Sequence, residues 1–245
     1  KELSEVLANE PMYLRAIELT RLGMREQATW EFDGISEQSV KSSSPLARHY
    51  LLASTQMSLG FVAQSLRTAE SAIRGLEAPR TSLPKEYLRL LMPIAYDNYL
   101  IAGAQRHGAD ALLLAALVRQ ESRWDPSARS SAGALGLSQI LPGTGRAIAG
   151  AVGHPDFQDD DLLNPSVNLN FGGYYLARQL ERNGGLILPA LASYNAGGSA
   201  VDKWLTEYGR EDMDLFAERI PYSETNHYLH VVFENYGLYR MMYRR

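Results

Sequence analysis

Apolar positions recur at helical spacing along nearly the whole chain, and no segment alternates convincingly as a strand. In the first part, "PMYLRAIELTRLG" and "REQATWEFDGI" are amphipathic and are separated by Gly23, a helix terminator. "SPLARHYLLASTQMSLG" and "VAQSLRTAESAIRGL" repeat that arrangement around Gly60. The steps Leu22-Gly23 and Leu59-Gly60 recur at a spacing that suits stacked helical hairpins, although helices that merely pack give the same pattern. "EAPRTSLPKEY" holds two prolines among small polar residues and is the best boundary in the chain. It divides the sequence at about residue 80, into regions 1–80 and 81–245.

Beyond the boundary, "YLRLLMPIAYDNYLIAGAQRHG" reads as a helix interrupted or kinked at Pro93 and ending near Gly108. Asp110 can cap the next helix, "ALLLAALVRQES". From Trp124 to Pro165 glycine, proline, serine and aspartate are dense, with at most a short hairpin within 125–140 and a short helix at "GTGRAIAGAVG". "NPSVNLNFGGYYLARQLERNGG" is a helix capped by Asn164, with Pro165 in its first turn and Gly184-Gly185 past its end. A further helical stretch breaks at Gly197-Gly198, and the last helix begins near Ser223, whose Ser-Glu-Thr start reads as a cap. The expected fold class is all-α.

Composition narrows the function. With 245 residues, 45% of them hydrophobic and 21% charged, the chain can bury a full core. Its longest apolar run, "ALLLAALV", falls well short of the roughly 18–20 residues a membrane span needs. A net charge of −4 without a basic face argues against nucleic acid as a partner. The absence of cysteine excludes disulfides and thiol catalysis and is compatible with an oxidising compartment. The five histidines are dispersed, so no metal-ligand set or cofactor is expected. The chain opens "KELSEV", without initiator Met or signal peptide, which reads as a mature or trimmed chain whose localisation has to come from its function.

The chemistry concentrates in "ALVRQESRWDPSARSSAGALGLSQILPGTG". Leu114, Leu117, Val118 and Glu121 follow the i, i+3, i+4, i+7 rule, so a carboxylate shares the apolar face of its helix. Desolvation on such a face raises a carboxyl pKa and fits the group for general acid work near neutrality. Pairing with Arg119 or Arg123, or exposure at a frayed helix end, is the alternative reading of the same pattern. Asp125-Pro126 is expected to stop the helix, and the glycine- and serine-rich segment after it lets backbone approach a ligand closely. Gln139, set between apolar residues, should be hydrogen-bonded to protein or ligand, and Trp124 reads as a packing residue sealing the helix end.

These residues resemble the signature of soluble lytic murein transglycosylases, a family whose catalytic fold is related to goose-type lysozyme. The resemblance rests on "ESRWDPSARSSAGALGLSQILPGT", on "ASYNAGG" at 192–198 and on "IPYSETNHYLHVVFENYGLYR", three blocks in the family's order across roughly residues 85–245. It implies a lysozyme-like α-helical catalytic domain at 81–245, preceded by a TPR-like or superhelical linker region at 1–80 that could recruit cell-wall machinery and that relatives extend upstream. It further implies Glu121 as the single catalytic acid and base, with Ser130, Gln139, Leu141, Tyr194, Asn195 and Glu224 binding substrate. Leu141 and Ser138 stand where many relatives have methionine, and Asn226 replaces a frequent arginine beside Glu224.

What the resemblance implies chemically is a one-carboxylate cleavage of peptidoglycan between N-acetylmuramic acid and N-acetylglucosamine. Two-carboxylate glycosidases hold their acids about 5–5.5 Å or about 6.5–9.5 Å apart. Here the sugar's own C6 hydroxyl takes the place of water and closes a 1,6-anhydro ring, with no metal or cofactor. Glycan strands of the bacterial periplasm or cell envelope are then the expected partner. A goose-lysozyme-like hydrolase and a catalytically silent glycan-binding scaffold are the rival readings.

Overall fold

The computed structural model describes residues 7–39, 45–74 and 79–244; the opening "KELSEV", residues 75–76 at the end of the stretch before the boundary and residues 77–78 of the boundary itself lie outside them. Those residues are helical without a β-strand, and the all-α expectation holds. Two isolated antiparallel bridges, Arg129 with Leu135 and Leu135 with Ile140, are all that forms of the expected hairpin. Compactness divides the chain into Lys1–Pro93 and Ile94–Arg245.

The first unit is built from α1 (Pro11–Arg21), α2 (Arg25–Ser39), α3 (Pro45–Ser58), α4 (Val62–Ile73) and α5 (Lys85–Leu91), in which successive helices pack as neighbours. Ala16, Ala28, Phe32, Ile35, Leu52 and Phe61 form its core, with Phe32 and Phe61 edge-on at 5.1 Å. Gly23 and Gly60 both take the left-handed conformation that ends a helix. Residue 80 falls in a 3₁₀ turn, Arg80–Ser82, just ahead of α5. That short helix packs on α3 and α4, burying Tyr87, Leu88, Leu90 and Leu91, and the Tyr87 hydroxyl donates to the Ala69 carbonyl at 2.9 Å. The compact unit therefore runs on past residue 80 to Pro93.

The second unit contains α6 (Asp97–His107), α7 (Ala111–Ser122), α8 (Pro142–Val152), α9 (Pro165–Arg182), α10 (Ile187–Ala196), α11 (Gly198–Tyr208), α12 (Met213–Arg219) and α13 (Ser223–Tyr243). Helix α7 is its axis: every residue from Leu113 to Val118 is buried, as an all-round apolar sequence requires, and Arg119 is buried beside them. Asp110 caps it by accepting from the Leu112 and Leu113 amides at 2.7 and 3.3 Å, and Asn164 caps α9 through the Ser166 amide at 3.0 Å. Ser223 is not a cap: α13 is preceded by Tyr222, and no side chain accepts from its first turn.

Helices α6 and α9 touch through glycine. A Cβ on Gly103 would lie 2.6 Å from the Leu169 carbonyl oxygen, and one on Gly173 would lie 2.5 Å from the Gly103 carbonyl oxygen. Both neighbours are backbone and cannot swing aside. Gly103→Ala is expected to cost about 2–3 kcal/mol of unfolding free energy, read by urea denaturation.

Candidate active site

Helix α7 does not run into the Asp125-Pro126 pair expected to stop it. It ends at Ser122, because Arg123 and Trp124 both adopt left-handed backbone, with φ of 51° and 65°. Such geometry costs an L-residue roughly 1–2 kcal/mol, and burial of the Trp124 side chain, 1% exposed, offsets it. The Trp124 indole N–H donates to the Tyr239 hydroxyl on α13 at 3.3 Å, so the expected sealing role is what the structure has. The turn leaves Glu121 in the last turn of α7, largely shielded from solvent.

Opposite Glu121 stands Tyr228 of α13, a residue the sequence reading passed over. It is 5% exposed, and its hydroxyl donates to Glu121 Oε1 at 2.6 Å. Burial raises the Glu121 pKa to about 7, against the pull of the Tyr228 hydrogen bond, which favours the ionised form. Because Oε1 already accepts from Tyr228, the acid proton belongs on Oε2. Tyr194 of α10 completes the group: burial first, then the Glu121 charge, hold its phenol well above the ordinary tyrosine range, so it stays neutral. The same causes act on Tyr228. Removing the hydroxyl in Tyr228→Phe leaves burial unopposed. The Glu121 carboxyl should then titrate about one pH unit higher, as read by carbon NMR of labelled glutamate.

The glycine-rich segment is held by one buried side chain, Asn168 of α9. Its Oδ1 accepts from the Ser138 amide at 2.7 Å, while its Nδ2 donates to the carbonyls of Leu135 at 3.0 Å and Leu162 at 2.7 Å. Gly136, at φ 73°, must lack a side chain, since a Cβ there would sit 2.1 Å from the Leu162 oxygen and 2.4 Å from Asn168 Nδ2. The loop so fixed presents the Ser138 carbonyl to the Tyr194 hydroxyl at 2.8 Å. The Tyr194 ring is set edge-on to Tyr175 at 4.9 Å. Ser138 itself is fully buried and backs this wall rather than lining it.

The other expected residues sit around this centre in different ways. Gln139, half-buried with φ 48°, donates its Nε2 to the carbonyls of Gly136 at 2.9 Å and Ala128 at 3.2 Å. Its Oε1 has no protein donor among the described residues, so it is the end available to a ligand. Asn195 accepts from the Thr225 hydroxyl at 2.7 Å and thereby ties α10 to the start of α13. Leu141 precedes α8 and is 45% exposed. Ser130 is exposed, and its Oγ accepts from the Ala134 amide at 3.0 Å; no hydrogen bond joins it to Glu121 among the described residues. Glu224 is exposed in the first turn of α13, one turn before Tyr228 on the same face. Asn226 donates to the Ala217 carbonyl at 2.7 Å, away from Glu224. The structure thus brings together Glu121, Tyr194 and the loop behind it, with Asn195 bracing the far helix. Ser130, Leu141 and Glu224 are left on the surface.

Chemically, a carboxyl poised near neutrality, oriented by one neutral phenol and flanked by another, is a proton donor that can afterwards accept a proton. Among the described residues no three or more of His, Asp and Glu are grouped as a metal site, and no helix is long and apolar enough to cross a membrane.

Residues 98–216 match the family model described as the Transglycosylase SLT domain. The soluble lytic murein transglycosylase of Salmonella typhimurium is 35% identical over 157 residues, which cover 63% of this chain and 24% of the relative. Among solved structures, the lytic transglycosylase Slt of Pseudomonas aeruginosa, studied as an inactive mutant, matches 98% of this chain and 37% of its own at a TM-score of 0.82 and 25% identity. The 70 kDa soluble lytic transglycosylase of Escherichia coli matches 96% of this chain and 36% of its own at a TM-score of 0.81 and 28% identity. The chain spans about a quarter to a third of the length of such relatives.

Proposed function

The chain belongs to the SLT-type lytic transglycosylase family, and from that premise we propose that it cleaves the β-1,4 bond between N-acetylmuramic acid and N-acetylglucosamine without consuming water. The observation that carries the reading is the single desolvated carboxyl, Glu121, with its pKa raised to about 7 beside two neutral tyrosines. Protonated Glu121 donates from Oε2 to the glycosidic oxygen as the bond to the muramic C1 breaks. The 2-acetamido oxygen of that sugar attacks C1 and carries the positive charge in a bicyclic intermediate.

In this reading Tyr194 stabilises the intermediate. Its O–H is committed to the Ser138 carbonyl, which leaves the phenol oxygen's lone pairs for the cation. Glu121, now ionised and held by Tyr228, removes the proton from the C6 hydroxyl, and O6 displaces the acetamido group to close the 1,6-anhydro ring. The carboxyl ends protonated, ready for another turnover. Gln139 Oε1 is offered to a sugar hydroxyl or amide, and Ser130, Leu141, Asn195 and Glu224 are assigned to the surrounding glycan contacts.

In this reading residues 81–245 form the catalytic region, residues 1–80 a helical region open to cell-wall partners, and the enzyme works in the periplasm or cell envelope. The test is mass spectrometry of purified peptidoglycan digested by the protein. Anhydromuropeptides are expected. Products heavier by one water, ending in reducing muramic acid, would make it a hydrolase, and an undigested wall would make it a scaffold.

A further inference from the structure

On helix α9 the residues that serve the active centre occupy one face, and the opposite face borders two hollows. Asn168 binds the loop through Ser138, Leu135 and Leu162, and Gly172 lies against the Ser138 side chain. Ser166 and Asn170 are each two positions away, about 200° around the helix, so they point to the other side. There the glycine contact between α6 and α9 draws the two backbones together, and a cavity opens on either side of the contact. One, of about 320 Å³, is lined by Tyr99, Gly103, Arg106, His154, Ser166 and Asn170 among others. The other, of about 450 Å³, lies farther along α9 at His107, Tyr174 and Arg178.

The smaller cavity is rich in unspent donors. Asn170 Oδ1 accepts from the His107 ring at 3.0 Å, which turns the Asn170 amide nitrogen into a free donor. The His154 ring is fixed edge-on to Phe157 and Phe171, both at 6.1 Å, and its nitrogens have no hydrogen-bond partner among the described residues. The Arg106 guanidinium has no acceptor there, nor has the hydroxyl of Tyr99, a residue 51% exposed. No Asp or Glu lines the cavity. A hollow walled by a guanidinium, an amide nitrogen, an imidazole and a phenol, with an open aromatic at its edge and no competing acid, is built for an acceptor-rich anion carried on an organic body.

We propose that the α6–α9 cavity is a second binding site, remote from Glu121, for a carboxylate-bearing ligand. Arg106 would bind the carboxylate in bidentate fashion, and Tyr99 would cover the adjoining apolar part. The choice of the acidic peptide stem of peptidoglycan as ligand rests on the reaction proposed above; the carboxylate chemistry does not. A site of this kind would hold one part of a branched polymer while the cleft on the other face of α9 works on its glycan.

The test uses Glu121→Gln protein, which cannot consume the probe, and the dipeptide L-Ala-γ-D-Glu, its amidated form and tetra-N-acetylchitotetraose as ligands. Calorimetric titration is followed by amide NMR. The dipeptide is expected to shift Gly103, Val167 and Asn170 signals and to bind about tenfold more weakly to an additional Arg106→Ala variant. The amidated dipeptide should bind the parent and the variant alike. Equal affinity of the acidic dipeptide for both proteins, no binding at all, or shifts confined to residues around Glu121 would overturn the proposal. Chitotetraose displacing the dipeptide from Gly103 would also overturn it, since the site would then read sugar and not carboxylate. Digestion of whole walls by the unmodified protein, measured separately, decides the catalytic reading whichever way the titration falls.

Discussion

Glu121→Gln will fold normally and will digest cell walls about a thousandfold more slowly than the parent protein. The amide keeps Oε1 as an acceptor for Tyr228 and so preserves the local geometry, but it has no proton to give at Oε2. The same substitution should stabilise the protein above neutral pH. The folded-state pKa of about 7 is raised from the ordinary 4.5. The stability that Glu121 contributes is therefore intact below about 4.5 and is lost as pH rises through about 7. At pH 8 the parent must hold a buried carboxylate that the variant lacks, a difference of up to about 3 kcal/mol in favour of Gln. At pH 4 the two should melt together. Calorimetry at both pH values reads this, and equal melting temperatures at pH 8 would mean that Glu121 is not desolvated. In the proposed reaction kcat/KM should fall as pH rises through about 7, because the acid form is the one assigned to protonate the leaving oxygen.

The second large effect belongs to a residue that touches no substrate. Asn168→Ala strands the Ser138 amide and the Leu162 carbonyl, and leaves the Leu135 carbonyl with the Ile140 amide alone. Buried groups left without partners cost about 1–3 kcal/mol apiece. The two are coupled and the deletion also leaves a small cavity, so a total loss of about 2–4 kcal/mol is expected in urea unfolding. The injury should extend to activity at temperatures where the variant is still folded, since the loop that Asn168 holds presents the carbonyl orienting Tyr194. Asn168→Asp makes a useful contrast. It keeps the acceptor for the Ser138 amide and loses the donors, placing one carboxylate oxygen against two carbonyls. A variant that unfolds no more easily than the parent would show that the loop is held by other means.

Much of this architecture was readable from local pattern. The apolar run of α7, the Asp110 and Asn164 caps and the glycine stops at Gly23 and Gly60 depend on neighbours within a turn or two, and each stands where the sequence places it. Glu121 was legible for the same reason, as a carboxylate continuing an apolar stripe. What escaped depends on partners far along the chain. Tyr228 meets Glu121 across 107 positions, and Trp124 meets Tyr239 across 115. Nothing in an amphipathic terminal helix says which of its tyrosines faces a carboxyl. One clue was available, since Tyr228 lies a single turn beyond Glu224 on the same face. Asn168 was hidden for a different reason: an asparagine in mid-helix looks like a solvated residue until the segment it binds is seen to fold over it. The proline at 126 attracted the helix stop because its effect on the preceding residue is a general rule. The earlier stop at Arg123 and Trp124 needs positive φ at two residues that ordinarily avoid it, an arrangement only tertiary burial can sustain.

That stop bears on how the acid could be tuned without being touched. A helix ends in a cluster of unshared carbonyl oxygens, equivalent to about half a negative charge, and Glu121 lies in the final turn of α7. The field there opposes ionisation in the same direction as burial, by about 0.3–1 kcal/mol. Were the left-handed pair to relax and the helix to run on by a turn, those carbonyls would be hydrogen-bonded and the negative pole would move about 5 Å away. Glu121 would keep its neighbours in sequence and become a stronger acid. The working pH of the site is thus written partly in the two residues that end its helix, and substitutions at Arg123 should move it while leaving Tyr194 and Tyr228 in place.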